Sequence, residues 1–366
     1  MQRRLFIKCG LAGLAALGSG FSAYHLFTEK KSRCAFRQFE PQPAIGDKLS
    51  HILYLAALAP SSHNAQPWTA KILSPDQLLI SSRPEHWLRA VDPDNRELLL
   101  SMGTFCENFA QAAEIYACHA EFNVLARDGF DEKIVAVSLT DCIPGIQKEQ
   151  TLLERRTLRR DLESTPLTTA DRNYLLERKN ETDYYPADSA IGRQLREIVT
   201  ASNRSQTERP AVQAELAEWI RWQASDEEHY GTGLTPDTME MTGFIKWYAR
   251  HFMDKSDVLS QRFQAETNQL VKEQVQHCAG WLVIRSQNAS AGSIIQAGRT
   301  LESIWLGAKK RRIAFHPMTQ PLEEPGGQDD IQQCLGSNVQ FIIRVGYIRN
   351  YPAPVSLRLP LKKILI

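Results

Sequence analysis

The apolar residues of this chain first fall into a helical rhythm at residues 47–58. There Leu49, Ile52, Leu53, Ala56 and Ala57 recur at i, i+3, i+4, i+7 and i+8. Ala59-Pro60-Ser61 closes that helix, because the residue before a proline is pushed out of the helical region. Residues 69–75 and 77–83 alternate as two short strands around the turn signal Pro75-Asp76. Three- and four-residue spacing over 96–119 predicts one long helix, and alternation over 133–141 predicts a further strand. Residues 339–347, VQFIIRVGY, read as a strand near the end of the chain.

The pattern repeats itself. GTFCENFAQAA from Gly103 and GRTLESIWLGA from Gly298 share Gly103/Gly298, Glu107/Glu302 and Ala113/Ala308 at identical internal spacing, and each is expected to be followed by a β-like run, the second being VQFIIRVGY. RCAFRQFEPQP and RTLRRDLESTP share Arg33/Arg156, Arg37/Arg160, Glu40/Glu163 and Pro43/Pro166, in the same order. Two ordered matches argue for a diverged internal duplication, too long and too few for a solenoid and suited to a fused pseudo-dimer. The halves are expected at 31–150 and 151–366, the second with a helical insertion at about 183–257. Within it, 211–222 and 241–252 read as amphipathic helices, joined by the irregular HYGTGLTPD. That insertion is either a hairpin packed on the body or a lid over a site.

Composition narrows the picture little. An apolar share of 43% is that of a globular protein. The 43 Lys and Arg nearly cancel the 42 Asp and Glu, so no overall field favours nucleic acid. The seven cysteines form no CxxC or short Cys/His cluster, which argues against a zinc site. The first thirty residues are more telling. Arg3-Arg4 stands two residues before Phe6, Lys8 closes the basic region, and residues 9–27 carry no Asp, Glu, Lys or Arg. This resembles a twin-arginine export signal, which implies passage through the twin-arginine translocase to the periplasm; a plain membrane anchor is the alternative. Phe21-Ser22-Ala23 is a poor A-x-A cleavage site, so the segment can stay as a tether facing the periplasm.

The chemistry concentrates in ALAPSSHNAQPW, residues 57–68. A hydrolase serine usually occupies G-x-S-x-G, which is missing here, and adjacent Ser62 and His63 rarely adopt triad geometry. Short hydroxyls and an amide on a proline-fixed loop suit the holding of a polar ligand instead. The RRTLRR run at 155–160 offers guanidinium forks to a phosphate, or is a solvated basic helix end. No P-loop or G-x-G-x-x-G follows a strand, so neither nucleotide motif is supported.

Together these residues resemble the flavin-dependent nitroreductase family. Its P-S-[SA]-x-N-x-Q-P-W motif stands here as Pro60, Ser61, Ser62, Asn64, Gln66, Pro67 and Trp68, and its arginine motif as Arg155, Arg156, Thr157 and Arg159. TQPLEEPG is similar to the family's P-x-E loop, which implies that Pro321 and Glu323 lie at flavin N5, with the Glu323 backbone facing it. SLRLPLKK supplies Arg358 for the phosphate. The resemblance implies an α+β fold with central sheets flanked by helices and an FMN site shared between two subunits. The arginine motif follows the P-S-S motif here, an order similar to the Acg-like branch, in which one chain imitates the dimer. Pro60, Ser61, Ser62 and Asn64 would then come from the first half and the arginines, Pro321, Glu323 and Arg358 from the second. One FMN per chain is expected, since no second P-S-S-x-N occurs. Two departures stand out. Glu324 replaces a frequent glycine, and Leu162 falls one residue late, leaving the arginine that meets phosphate open by one register. The implied activity is FMN-mediated hydride or electron transfer, with NAD(P)H as a candidate donor, to a nitroaromatic- or quinone-like acceptor. No catalytic side chain is required. The alternative is an FMN-binding or sequestering protein without efficient turnover.

Overall fold

The computed structural model describes residues 39–146, 148–177 and 181–366. The N-terminal signal or anchor and the Arg33/Arg37 side of the second repeat match lie outside them. The first half runs α1 (Asp47–Ala56), β1 (Trp68–Ser74), β2 (Gln77–Ser82), α2 (Arg96–Ile115), β3 (Cys118–Val124) and β4 (Lys133–Asp141). Short helices α3 (Glu149–Glu154) and α4 (Thr169–Leu175) lead to β5 (Thr182–Pro186). Then come α5 (Ala190–Thr207), α6 (Pro210–Trp219), α7 (Ala224–Tyr230), α8 (Gly243–Phe252), α9 (Lys255–Val258) and α10 (Gln261–Gln274). The second half continues with β6 (Gly280–Arg285), α11 (Ala291–Ala308), β7 (Ile313–Pro317), α12 (Gln320–Glu323), α13 (Pro325–Leu335), β8 (Val339–Tyr347) and α14 (Leu361–Ile364).

The strands form two antiparallel four-stranded sheets, ordered β1-β2-β4-β3 and β5-β6-β8-β7. The wiring is the same in each, with a long helix, α2 or α11, between the second and third strands. The fold is therefore α+β in two equivalent halves. The helices that carry the repeated glycines pack on each other. A Cβ at Gly103 would lie 2.1 Å from the Ile295 carbonyl oxygen, and one at Gly298 would lie 2.1 Å from that of Leu100. Only glycine lets the two backbones approach this closely. The repeated glutamates line the same crossing, Glu107 pairing with Arg299 at 3.1 Å and Glu302 with Arg155 at 3.0 Å. One apolar cluster runs through both halves, taking Phe105 and Phe109 from α2 and Leu301 and Trp305 from α11.

Three differences from the sequence reading have local causes. The helix expected over 96–119 ends at Ile115, because Ala117 turns left-handed (φ 57), and residues 118–124 pair with β4 as a strand. The start of the expected insertion, Thr182–Pro186, is strand β5, paired with β6; the added helices occupy 190–274 instead. Strand β8 does not follow α11 directly, since β7, α12 and α13 come between them.

The tail after β8 crosses back to the first half. Leu365 bridges to Ala70, and the Ile366 amide donates to the Ala70 carbonyl at 3.1 Å. That crossing carries residues 357–359 onto the loop between α1 and β1.

Candidate functional site

The loop between α1 and β1 bends through three left-handed non-glycine residues, His63 (φ 49), Asn64 (φ 54) and Gln66 (φ 52). Each such turn costs roughly 1–2 kcal/mol, so the surroundings must hold it. Helix α2 does much of this. Thr104 Oγ1 donates to the Pro60 carbonyl at 2.8 Å, the Ser62 amide donates to Ser101 Oγ at 3.4 Å, and the Ser62 hydroxyl donates to Glu97. Ser61 Oγ accepts from the Gln66 amide at 2.9 Å and closes the loop on itself. Ser62 gives its proton to Glu97, while His63 Nδ1 is buried without a partner among the described residues. Burial holds the His63 imidazole below its usual pKa. No serine–histidine pair forms, and a nucleophilic hydrolase loses its base.

Groups from the second half close over this loop. Asn64 Nδ2 donates to the Gly233 carbonyl at 3.2 Å and to that of Leu357 at 3.1 Å, while its Oδ1 accepts from Arg358 at 2.9 Å. Gln66 donates to the Gly231 carbonyl at 2.9 Å and accepts from the Leu359 amide at 2.8 Å. Arg155 and Arg358 both donate to the Leu58 carbonyl, at 2.8 and 2.7 Å. Arg155 is balanced by Glu302 and lies over the Trp305 ring at 5.0 Å. Arg358 forms no ion pair among the described residues, and its Nε is buried without a partner. Burial and the neighbouring Arg155 charge push Arg358 down to about 9. Glu302 is pushed up to about 7, because its burial outweighs the attraction of Arg155. Two guanidiniums and one reluctant carboxylate leave surplus positive charge, a setting that favours an anion.

On the other side of Ser62 two carboxyls from different halves meet. Glu97, on the first turn of α2, and Glu323, at the end of α12, are hydrogen-bonded to each other. Burial, and then the charge of Glu97, raise Glu323 well above the usual carboxylate range. Burial opposes charge on Glu97 too, but Arg96 and the hydrogen bonds from Glu323 and Ser62 hold it below its ordinary value. The shared proton therefore belongs to Glu323. Its other contacts are Gln206 Nε2 at 2.5 Å and Thr319 Oγ1 at 2.6 Å. Asp92 nearby is raised to about 6, by burial and by Glu97. A small recess of about 10 Å³, room for about one water molecule, lies beside Ser62, lined by Ala65, His86, Asp92, Leu98 and Ser101 among others.

The structure thus brings the loop 60–66, Arg155, Arg358 and Glu323 together, with Pro321 buried in the same short helix as Glu323. Arg159 lies within electrostatic reach of His63 and donates to the Thr238 carbonyl at 2.8 Å. Arg156 turns to Ala353 and Glu240 instead, and Thr157 is half-buried between the two arginines. The sequence reading passed over Glu97, although Arg96-Glu97 opens a helix. It passed over the packing of the insertion too. Val212 packs with Ala65, Leu88 and Val91, and Glu215 accepts from the Ala90 and Val91 amides. Arg209 pairs with buried Glu324 at 2.7 Å and donates to the Ala90 carbonyl at 3.0 Å. Glu324, at the frequent glycine position, is thus the anchor for helices that seat on the loop.

No protein-family model matches the chain. It is 25% identical over 326 residues to two Mycobacterium tuberculosis proteins, of strains CDC 1551 and H37Rv, each bearing the name "Putative NAD(P)H nitroreductase". Those alignments cover 86% of this chain and 89% of each relative. A crystal structure of a nitroreductase-like family protein from Bacillus cereus aligns with 61% of this chain and 96% of its own, at 10% identity and a TM-score of 0.34. The two mycobacterial relatives support placing the chain in the nitroreductase family.

Proposed function

We propose that this chain is an FMN-dependent oxidoreductase of the Acg-like type, passing reducing equivalents from a nicotinamide nucleotide to a nitroaromatic- or quinone-like acceptor. The observation that carries the reading is Arg358. A buried guanidinium without a carboxylate partner, beside a second one, fits a phosphate that supplies the missing negative charge. Its position on the P-S-S loop fits a ligand whose phosphate and ring contacts come from opposite halves. Bound FMN would accept and release a hydride at N5. Pro60, Ser61, Ser62 and Asn64 would contact the ring edge. Arg155, Arg156, Thr157, Arg159 and Arg358 would serve the phosphate side, and Pro321 and Glu323 the N5 side. Glu323 holds a proton at its carboxyl.

The test is to purify the full chain and record its visible spectrum before and after adding FMN. A yellow preparation, or one flavin taken up per chain, is expected. Arg358→Met should weaken uptake by about tenfold or more. A colourless protein that takes up no FMN refutes the reading.

The seating of residues 231–233 on Asn64 and Gln66 favours a second reading, in which FMN is held without efficient turnover. Stopped-flow reduction separates the two. Rapid bleaching by NADH or NADPH excludes pure storage, and reduction by dithionite alone favours it.

The basic start and uncharged run at 9–27 support export through the twin-arginine translocase, with the periplasm or the outer face of the inner membrane as destination. Arg3→Lys/Arg4→Lys should trap the protein inside the cell, and unchanged periplasmic recovery would exclude that route.

A further inference from the structure

Helix α8 in the insertion is amphipathic in the reverse sense for a surface helix. Its cations point inward and its aromatic residues outward. Lys246, 7% exposed, donates to Asp237 at 2.7 Å, and Arg250 pairs with Glu227 at 2.8 Å and Asp237 at 2.6 Å. Ala249 is fully buried between them. On the opposite face Phe244 is 47% exposed, Ile245 59%, Tyr248 49% and Phe252 59%. Half-buried Trp247 stacks on Phe244 at 5.4 Å and meets Phe252 edge-on at 5.5 Å. Lys246 and Arg250, the helix's two permanent cations, are both neutralised on the body side. The outward face is therefore aromatic and contiguous, with exposed His251 at its edge against Trp247 and Phe252. Exposed patches of this kind on a soluble surface mark contact with something apolar.

We propose that the outer face of α8 docks on a lipid bilayer surface. Two observations favour a bilayer over a second copy of the chain. Four side chains of ~150–250 Å² each, about half exposed, offer on the order of 400 Å², about half of the ~800 Å² that one side of a stable interface buries. The mixture of Phe, Trp and Tyr with one Ile matches the chemistry of the headgroup boundary, where amphipathic rings settle. The chain also carries outside the described residues a run, 9–27, with no Asp, Glu, Lys or Arg. A tether of that kind would keep α8 beside a bilayer, where a patch too weak to bind alone still engages.

The test uses the full chain with vesicles of phosphatidylcholine mixed with phosphatidylglycerol, some bearing brominated acyl chains. Brominated lipid should quench a tryptophan signal that Trp247→Phe removes. The quadruple variant Phe244→Ser/Ile245→Ser/Tyr248→Ser/Phe252→Ser should bind vesicles about tenfold or more weakly, with an unchanged far-UV circular dichroism spectrum and thermal midpoint. Should that variant lose its fold, the quenching comparison with Trp247→Phe decides alone. Vesicle binding unaltered by the quadruple change, or no Trp247 quenching, overturns the proposal. So does a concentration-dependent dimer that the variant abolishes, which would assign the face to a second copy. Trp247 shielded from acrylamide before lipid is added would assign it to the first 38 residues of the chain.

Discussion

The close crossing of α2 and α11 permits a sharp test at Gly298. The substitution Gly298→Ala places a Cβ 2.1 Å from the Leu100 carbonyl oxygen and 3.0 Å from the Gly103 Cα, where ordinary contact begins at 3.4 Å. Both obstacles are backbone atoms of the facing helix, so no side-chain rotation relieves them. The helices must separate by on the order of 1 Å along a crossing packed to interior density. Overpacking of this kind costs about 1–3 kcal/mol, and the rigid obstacles place it at about 3. Replacing a mid-helix glycine by alanine returns about 1 kcal/mol of helix propensity. The net expectation is a loss of about 2 kcal/mol, or roughly 3 °C in the thermal midpoint of a chain this long. Gly103→Ala, with its Cβ 2.1 Å from the Ile295 carbonyl oxygen, should behave alike. Once either alanine has opened the crossing, the second meets less resistance. The double variant should therefore fall short of the sum by about 0.5 kcal/mol or more. Gly292→Ala is the control, in the same helix with nothing within 4 Å of its Cβ, and should be neutral or slightly stabilising. Urea unfolding followed by circular dichroism, with the slope compared across variants, measures all four. If Gly298→Ala and Gly103→Ala are as harmless as Gly292→Ala, or simply additive, the account of the two-half packing is wrong.

Three further outcomes follow from the site. Because Glu323 is raised in the folded protein, the stability it contributes is whole below the ordinary glutamate pKa of about 4.3 and is lost as pH rises through the raised value. The thermal midpoint of wild type minus that of Glu323→Gln should therefore decline with pH from about 4 upward, and parallel pH profiles would refute the shared proton. Asn64→Ala strips donors from the Gly233 and Leu357 carbonyls and an acceptor from Arg358, and should cost about 1–3 kcal/mol in urea unfolding. A neutral result would mean that this cross-half network contributes little. Arg209→Ala leaves Glu324 buried without its cation and should cost about 2 kcal/mol, less than a fully enclosed pair because Arg209 is 38% exposed. It should also speed protease cleavage within 220–242, and an unchanged digestion pattern would show that the insertion is held by other contacts.

Much of the framework is legible from period alone, because α1, β1, β2, β4 and β8 each carry one clean periodicity between recognisable stops. The errors fall where the stop is silent. Ala117 adopts a left-handed turn without the glycine that usually announces one, so β3 disappears into the preceding helix. Strand β5 is short and lies against the insertion, whose charged helices dominate the local pattern. The recurrence of Gly103 and Gly298 is visible in the chain, but its cause, two backbones in contact, exists only across the pair. The loop 60–66 is similarly conspicuous as a motif. Its partners are not, since nothing local indicates that Glu97 would face Ser62, or that Arg209 would reach Glu324.

The hydrogen bonds from Arg358 to the Leu58 carbonyl and from Leu359 to Gln66 span 300 and 293 residues of chain. They impose an order on biosynthesis. When residues 58–66 leave the ribosome, the segment that completes their surroundings has yet to be translated. The strained turns at His63, Asn64 and Gln66 must therefore wait, unsupported on one side, until residues 357–359 have emerged. Closure of so distant a contact is intrinsically late and slow. A ribosome that stalls before Arg358 leaves a chain with both sheets and no finished site, so residues 357–359 act as the quality check on the first half.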